Sequence, residues 1–163
     1  MFKLQIKYLS FFFGIVSILS FFNILYSYYF NLYLNLDTYY FTLLASFILF
    51  ITFFKFGKYD IKSNIFQKIL TIFLGYLLIP LVLSIPFYFS IYNLTFSNSF
   101  FEAISGFTST GFTVFDNIKL IDQSLVIWRS STQWIGGLYF LFSIIYLIDI
   151  YDDSFKKTLT NYI

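Results

Sequence analysis

Apolar and polar positions along this chain are segregated into blocks rather than alternating residue by residue. Residues 8–34, 39–54, 69–92 and 125–148 form four apolar runs, long enough, or nearly so, to cross a hydrocarbon core of about 30 Å as helices. Polar blocks separate them: Asn35-Leu36-Asp37-Thr38, then a loop holding Lys55, Lys58, Asp60, Lys62, Asn64 and Lys68, then residues 116–124 with Asp116, Lys119 and Asp122. The pattern predicts four transmembrane helices. Pro80 and Pro86 fall inside the third run, where the missing backbone N–H predicts a kink.

One stretch breaks the pattern. Residues 100–114 read Phe-Phe-Glu-Ala-Ile-Ser-Gly-Phe-Thr-Ser-Thr-Gly-Phe-Thr-Val. Ser99 followed by Glu102 has the spacing of a capping box, which predicts a short helix over 99–107. Thr108-Ser109-Thr110-Gly111-Phe112 then suits extended or left-handed backbone better than helix interior.

Composition turns the block pattern into a class. The chain is 59% hydrophobic and 11% charged, with mean hydropathy +0.78, whereas an average soluble domain carries roughly 25% charged residues. It is therefore read as an integral membrane protein in contact with the lipid bilayer. The 26% aromatic content exceeds what interfacial belts require and fits an AT-rich coding bias. The first run is too long for a signal-peptide core and no small-residue cleavage site follows it, so it is read as retained. Asn23, inside that run, is read as a packing contact between helices.

The absence of Cys and His removes disulfides, thiolate nucleophiles, imidazole bases and ordinary zinc sites. Glu102, Asp116 and Asp122 lack a companion base or metal cluster, so the chain is not read as an enzyme and no cofactor is expected. At a pore mouth such carboxylates would instead raise the local cation concentration. A net charge of +2 gives no support for nucleic-acid binding.

Charge placement fixes topology. Lys3, Lys7, Lys55, Lys58, Lys62, Lys68, Lys156 and Lys157 make up eight of the ten Lys and Arg residues, and four complete crossings put all of them on one face. By the positive-inside rule both termini are cytoplasmic. The lysine loop is then a cytoplasmic connection, with anionic headgroups or a regulatory protein as the alternative role. Residues 100–114 begin and end outside, so they enter the membrane and return: a re-entrant hairpin. Non-helical backbone at membrane depth is tolerated where it lines a watery cavity, and carbonyls and hydroxyls in a narrow space suit a hard cation. The C-terminal end of the short helix, pointing at the pore, favours a cation as well.

The order of span, short helix, Thr-Ser-Thr-Gly-Phe, polar return and span is that of a membrane-pore-membrane unit. With Trp128-Arg129-Ser130-Ser131-Thr132-Gln133-Trp134-Ile135-Gly136-Gly137 following residues 100–112, the chain resembles the first pore repeat of the Trk/Ktr/HKT potassium transporters, closest to the bacterial TrkH type. The first two runs resemble that type's extra N-terminal helix pair. The implied fold is all-α: a transmembrane hairpin and basic loop over 1–62, a membrane-pore-membrane repeat over 63–151 (outer helix 69–92, pore helix 99–107, filter 108–113, inner helix 125–148) and a cytoplasmic tail over 152–163.

The resemblance implies potassium uptake across the cell inner membrane. It implies that Ser109 and Thr110 present carbonyls to potassium, flanked by Thr108, and that Gly111 turns where a Cβ would obstruct. Phe112, Glu102 and Arg129 would support the filter. Arg129, costly if unpaired in a membrane, is expected to pair with Glu102 or to cap filter carbonyls, and Gly136-Gly137 to permit close helix packing. Family members carry four such repeats and a broken third inner helix as a gate, whereas this chain has one repeat. The remaining repeats are expected from another chain, in a split transporter, or from identical copies; a truncated, non-conducting remnant or assembly partner is the alternative. A cytoplasmic nucleotide-binding Trk regulator is the further partner the resemblance implies.

Overall fold

The computed structural model describes residues 6–57 and 65–160, with side chains described over 7–57 and 66–147. Lys3, Lys58, Lys62, Lys156 and Lys157, which carry much of the topology argument, lie outside those side chains.

The first apolar run winds into α1 (Ile6–Tyr29). It ends where Asn31 takes a left-handed backbone (φ 56°) and Leu32 donates to the Ser27 carbonyl at 2.8 Å. Asn tolerates that conformation better than most residues. The chain reverses there, and α2 (Leu36–Phe56) returns antiparallel to α1. Asp37 and Thr38, expected in a turn, are already helical, because an acidic residue in the first turn complements the helix dipole.

The third run forms α3 (Ile65–Leu83) and one further turn, α4 (Ile85–Tyr88), interrupted at Ser84. Pro80 sits inside α3 without breaking it, while Pro86 begins the new turn. The Trp128 indole N–H donates to the Leu83 carbonyl at the interruption, at 3.0 Å. The break is thus tied to the last helix rather than left open.

After α4 come α5 (Phe96–Phe107), an irregular return segment with a single 3-10 turn at Ile118–Leu120, and the long α6 (Gln123–Thr160). The buried face of α6 recurs every three or four residues: Leu125, Trp128, Thr132, Ile135, Tyr139 and Ser143. Its Ile135 and Tyr139 join Leu9, Phe12, Phe13 and Val16 of α1 and Ile79 of α3 in one apolar core.

Among the described residues the structure is helical, without strands. Three helical stretches among the described residues are long and apolar enough to cross a membrane: Lys7–Tyr29, Leu36–Phe56 and Phe66–Tyr88. The fourth apolar run is helical, but Arg129, Ser130, Ser131, Thr132 and Gln133 dilute its first turns. Only 17% of the most apolar window of the second stretch is buried against 44% and 50% for the others, so α2 is the peripheral helix.

Close packing around α5 depends on glycines. A Cβ on Gly136 would lie 1.8 Å from the Phe107 carbonyl oxygen, and one on Gly106 would lie 2.2 Å from Thr132 Oγ1. Gly137, paired with Gly136 in the sequence argument, faces open space. Gly136→Ala is therefore expected to lower the thermal midpoint in detergent by an amount equivalent to about 1–3 kcal/mol of overpacking, with Gly137→Ala close to wild type. Intrinsic-fluorescence melting of the two variants checks the contrast.

Candidate functional site

Residues 100–114 fold as a helix and a turned return strand, but the helix starts earlier than the capping box predicts. Thr95 is the N-cap: its side chain accepts from Asn98 N–H at 3.3 Å. Ser99 instead donates its hydroxyl to the Thr95 carbonyl, one turn back. Glu102 does not reach back to Ser99. It is fully buried on the inner face of α5, beside Ser99, Ala103 and Gly106.

A buried carboxylate needs partners, and Glu102 has them on two sides. From α6, Arg129 Nε donates to Oε1 in an ion pair. From the return strand, Val114 N–H donates to Oε2 at 2.9 Å, and Thr113 Oγ1 lies at 3.1 and 3.0 Å from the two oxygens. Arg129 also donates from Nη2 to the Phe112 carbonyl at 3.3 Å, which is also held by Ser105 Oγ at 2.7 Å. Arg129 thus takes both roles the sequence offered it. Ser105 and Thr113 were missed, since small hydroxylated residues give no signal until a partner is placed opposite them.

The segment so anchored is residues 108–111. Three backbone donors close the end of α5: Thr108 N–H to Ile104 O at 2.8 Å, Ser109 N–H to Gly106 O at 2.9 Å and Thr110 N–H to Ser105 O at 3.0 Å. This closure requires left-handed backbone at Ser109 (φ 55°), a position that usually falls to glycine. Gly111 is left-handed too, at φ 82°. Nothing lies within 4 Å of a Cβ built there, so the reason given from sequence is corrected: its backbone angle, not lack of space, calls for glycine. Thr108, Ser109, Thr110, Gly111 and Phe112 are all exposed. Beneath them, Thr108 and Ser109 join Tyr76, Phe107, Gly136, Gly137 and Phe140 around a cavity of ≈ 430 Å³.

Of the three carboxylates, Asp116 is exposed, while Glu102 and Asp122 are engaged by other side chains. Glu102 is neutralised by Arg129. Asp122 accepts from Asn35 Nδ2 at 2.9 Å and from Ser124 Oγ, while its N–H donates to the Tyr92 hydroxyl at 2.7 Å. Asn35 in turn accepts from Ile91 N–H at 3.1 Å, and Asn23 donates to the Ser124 carbonyl at 3.2 Å. This second knot ties α1, α2 and the end of α4 to the start of α6. Asn23 is part of it, as a helix-to-helix contact. Among the described residues, no cluster of His, Cys, Asp and Glu is placed to hold a metal ion.

These features define a helical, integral membrane protein in which a short helix and an oxygen-rich turn are clamped between longer helices. The chain is 31% identical over 106 residues to the Trk system potassium uptake protein TrkG of Escherichia coli K12, covering 60% of this chain and 22% of that protein. It is 33% identical over 82 residues to TrkH of the same organism, covering 50% and 17%. It is 35% identical over 65 residues to an uncharacterized cation transporter of Methanocaldococcus jannaschii, covering 40% and 14%. Over this part of its length the chain is similar to Trk system potassium uptake proteins and to a cation transporter. The matched part spans less than a quarter of the length of these relatives. No family model matches the chain, and no solved structure gives a significant match.

Removing one half of the Glu102–Arg129 pair leaves the other charge buried. Glu102→Gln and Arg129→Gln are each expected to destabilise the protein by about 3–5 kcal/mol, and the double variant by clearly less than their sum. Denaturation of the three variants in detergent measures the coupling.

Proposed function

We propose that this chain supplies one wall of a potassium-uptake pore in the cell inner membrane, with residues 108–111 facing the ion. The observation that carries the reading is the exposed Thr-Ser-Thr-Gly turn, held from behind by Glu102, Arg129 and Ser105. A selectivity site needs oxygen dipoles whose positions do not yield when the hydration shell is replaced. The names of the relatives, potassium uptake proteins and a cation transporter, support the choice of ion.

In this reading α5 is a re-entrant pore helix, α3 with α4 is the outer helix and α6 the inner one. With α1 and α2 they make four crossings with both termini cytoplasmic. Ser109 and Thr110 present carbonyls to potassium, Thr108 flanks them, and Phe112 gives its carbonyl to the support instead. One strand lines only part of a ring. The remaining repeats come from another chain or from identical copies, and a cytoplasmic nucleotide-binding Trk regulator is the further partner.

The competing reading is a non-conducting remnant or assembly partner. Gly111→Ser separates the two. A serine forced to positive φ costs roughly 1 kcal/mol and shifts the adjoining carbonyls. In a potassium-uptake-deficient host supplied with the chain and its neighbouring reading frames, the variant is expected to lose growth at limiting potassium. Growth identical to wild type, with unchanged ion selectivity, supports the non-conducting reading.

A further inference from the structure

The hydroxyls of Thr108 and Thr110 lie on the exposed turn, and the direction of their hydrogen bonds can be worked out. Thr108 Oγ1 is 2.7 Å from the Ile104 carbonyl. A carbonyl only accepts, so the one hydroxyl hydrogen of Thr108 is committed there. Thr108 Oγ1 also contacts Thr110 Oγ1 at hydrogen-bond distance. With Thr108's hydrogen already used, Thr110 must be the donor in that contact. The Thr110 hydrogen is thus committed to Thr108, and the Thr110 oxygen keeps its lone pairs unused on an exposed residue.

We propose that the Thr110 hydroxyl is itself a cation ligand, in addition to the backbone carbonyls, and that Thr108 is the positioning residue that orients it. This rests on the pore reading above. A free hydroxyl rotates and offers an ion either its hydrogen or a lone pair. Here a relay from the last turn of α5, Ile104 O to Thr108 Oγ1 to Thr110 Oγ1, removes the repulsive orientation before the ion arrives. Such an oriented neutral oxygen suits a monovalent cation stripped of part of its water. It also explains why the segment carries two threonines flanking the left-handed Ser109: the turn at φ 55° brings the side chains two residues apart into contact.

The test is the potassium dependence of uptake in the deficient host, with the chain and its neighbouring reading frames expressed and membrane abundance measured for every variant. Thr110→Val keeps the shape and removes the oxygen; its KM for potassium is expected to rise about tenfold, on the order of one modest ligand. Thr108→Val leaves the ligand but frees its rotation, with an expected rise of about threefold in KM and little change in maximal rate. Thr110→Ser, which keeps the hydroxyl, is expected to raise KM clearly less than Thr110→Val does. Wild-type uptake accompanied by an unchanged KM in Thr110→Val overturns the hydroxyl ligand and leaves the pore reading standing. If Thr110→Val fails to accumulate, an unchanged KM in Thr108→Val overturns the relay and the proposal with it. No potassium uptake by the wild-type set overturns both readings.

Discussion

A carboxylate with no exposed surface, Glu102, is the constraint on which the arrangement of this protein's functional end depends. A guanidinium from α6 and donors from residues 113 and 114 converge on it and supply the partners its burial demands. That convergence sets three things at once: the rotation of α5, the depth at which α6 packs on it, and the path of the return strand. A hydrophobic residue at the same position would fill the volume without specifying any of them. The glycines at 106 and 136 then let the helices approach to the distance the ion pair requires.

The turn at 108–111 is the consequence. Its residues make few apolar contacts and two of them are left-handed, so it would not hold this shape as an isolated peptide. The clamp on the Phe112 carbonyl from Ser105 and Arg129, and the closure of the last carbonyls of α5, keep it in place. The second polar knot, around Asn35 and Asp122, does at the opposite end of the return segment what Glu102 does at the first. Together they fix both ends of a connection that would otherwise be a long loop in an apolar setting.

How much of this was legible in the sequence follows from what each signal encodes. The long helices were visible because apolar runs of that length have one economical fate in a membrane protein, and the kink region followed from proline chemistry. Arg129 and Glu102 were legible as partners because a charge among apolar residues demands one. The start of α5 was misread because Thr95 and Ser99 are both competent caps, and burial of Glu102 removed it from the capping role. Sequence marks Gly111 as a glycine at a turn, while only the structure shows its left-handed backbone and the open space around a Cβ built there. Asp122 was read as a surface charge because its partner, Asn35, is 87 residues away.

The central claim is that residues 108–111 face potassium from the outside of the membrane. The chain contains no cysteine, so a single reporter can be placed at the exposed Phe112 by Phe112→Cys without a background. The most direct measurement is the rate at which a membrane-impermeant, positively charged thiol reagent modifies that position from outside, in potassium and in sodium, in cells carrying the chain and its neighbouring reading frames. The account predicts modification from the outside that slows as potassium rises and is indifferent to sodium. Modification only from the cytoplasmic side, or a rate that ignores both ions, would contradict it.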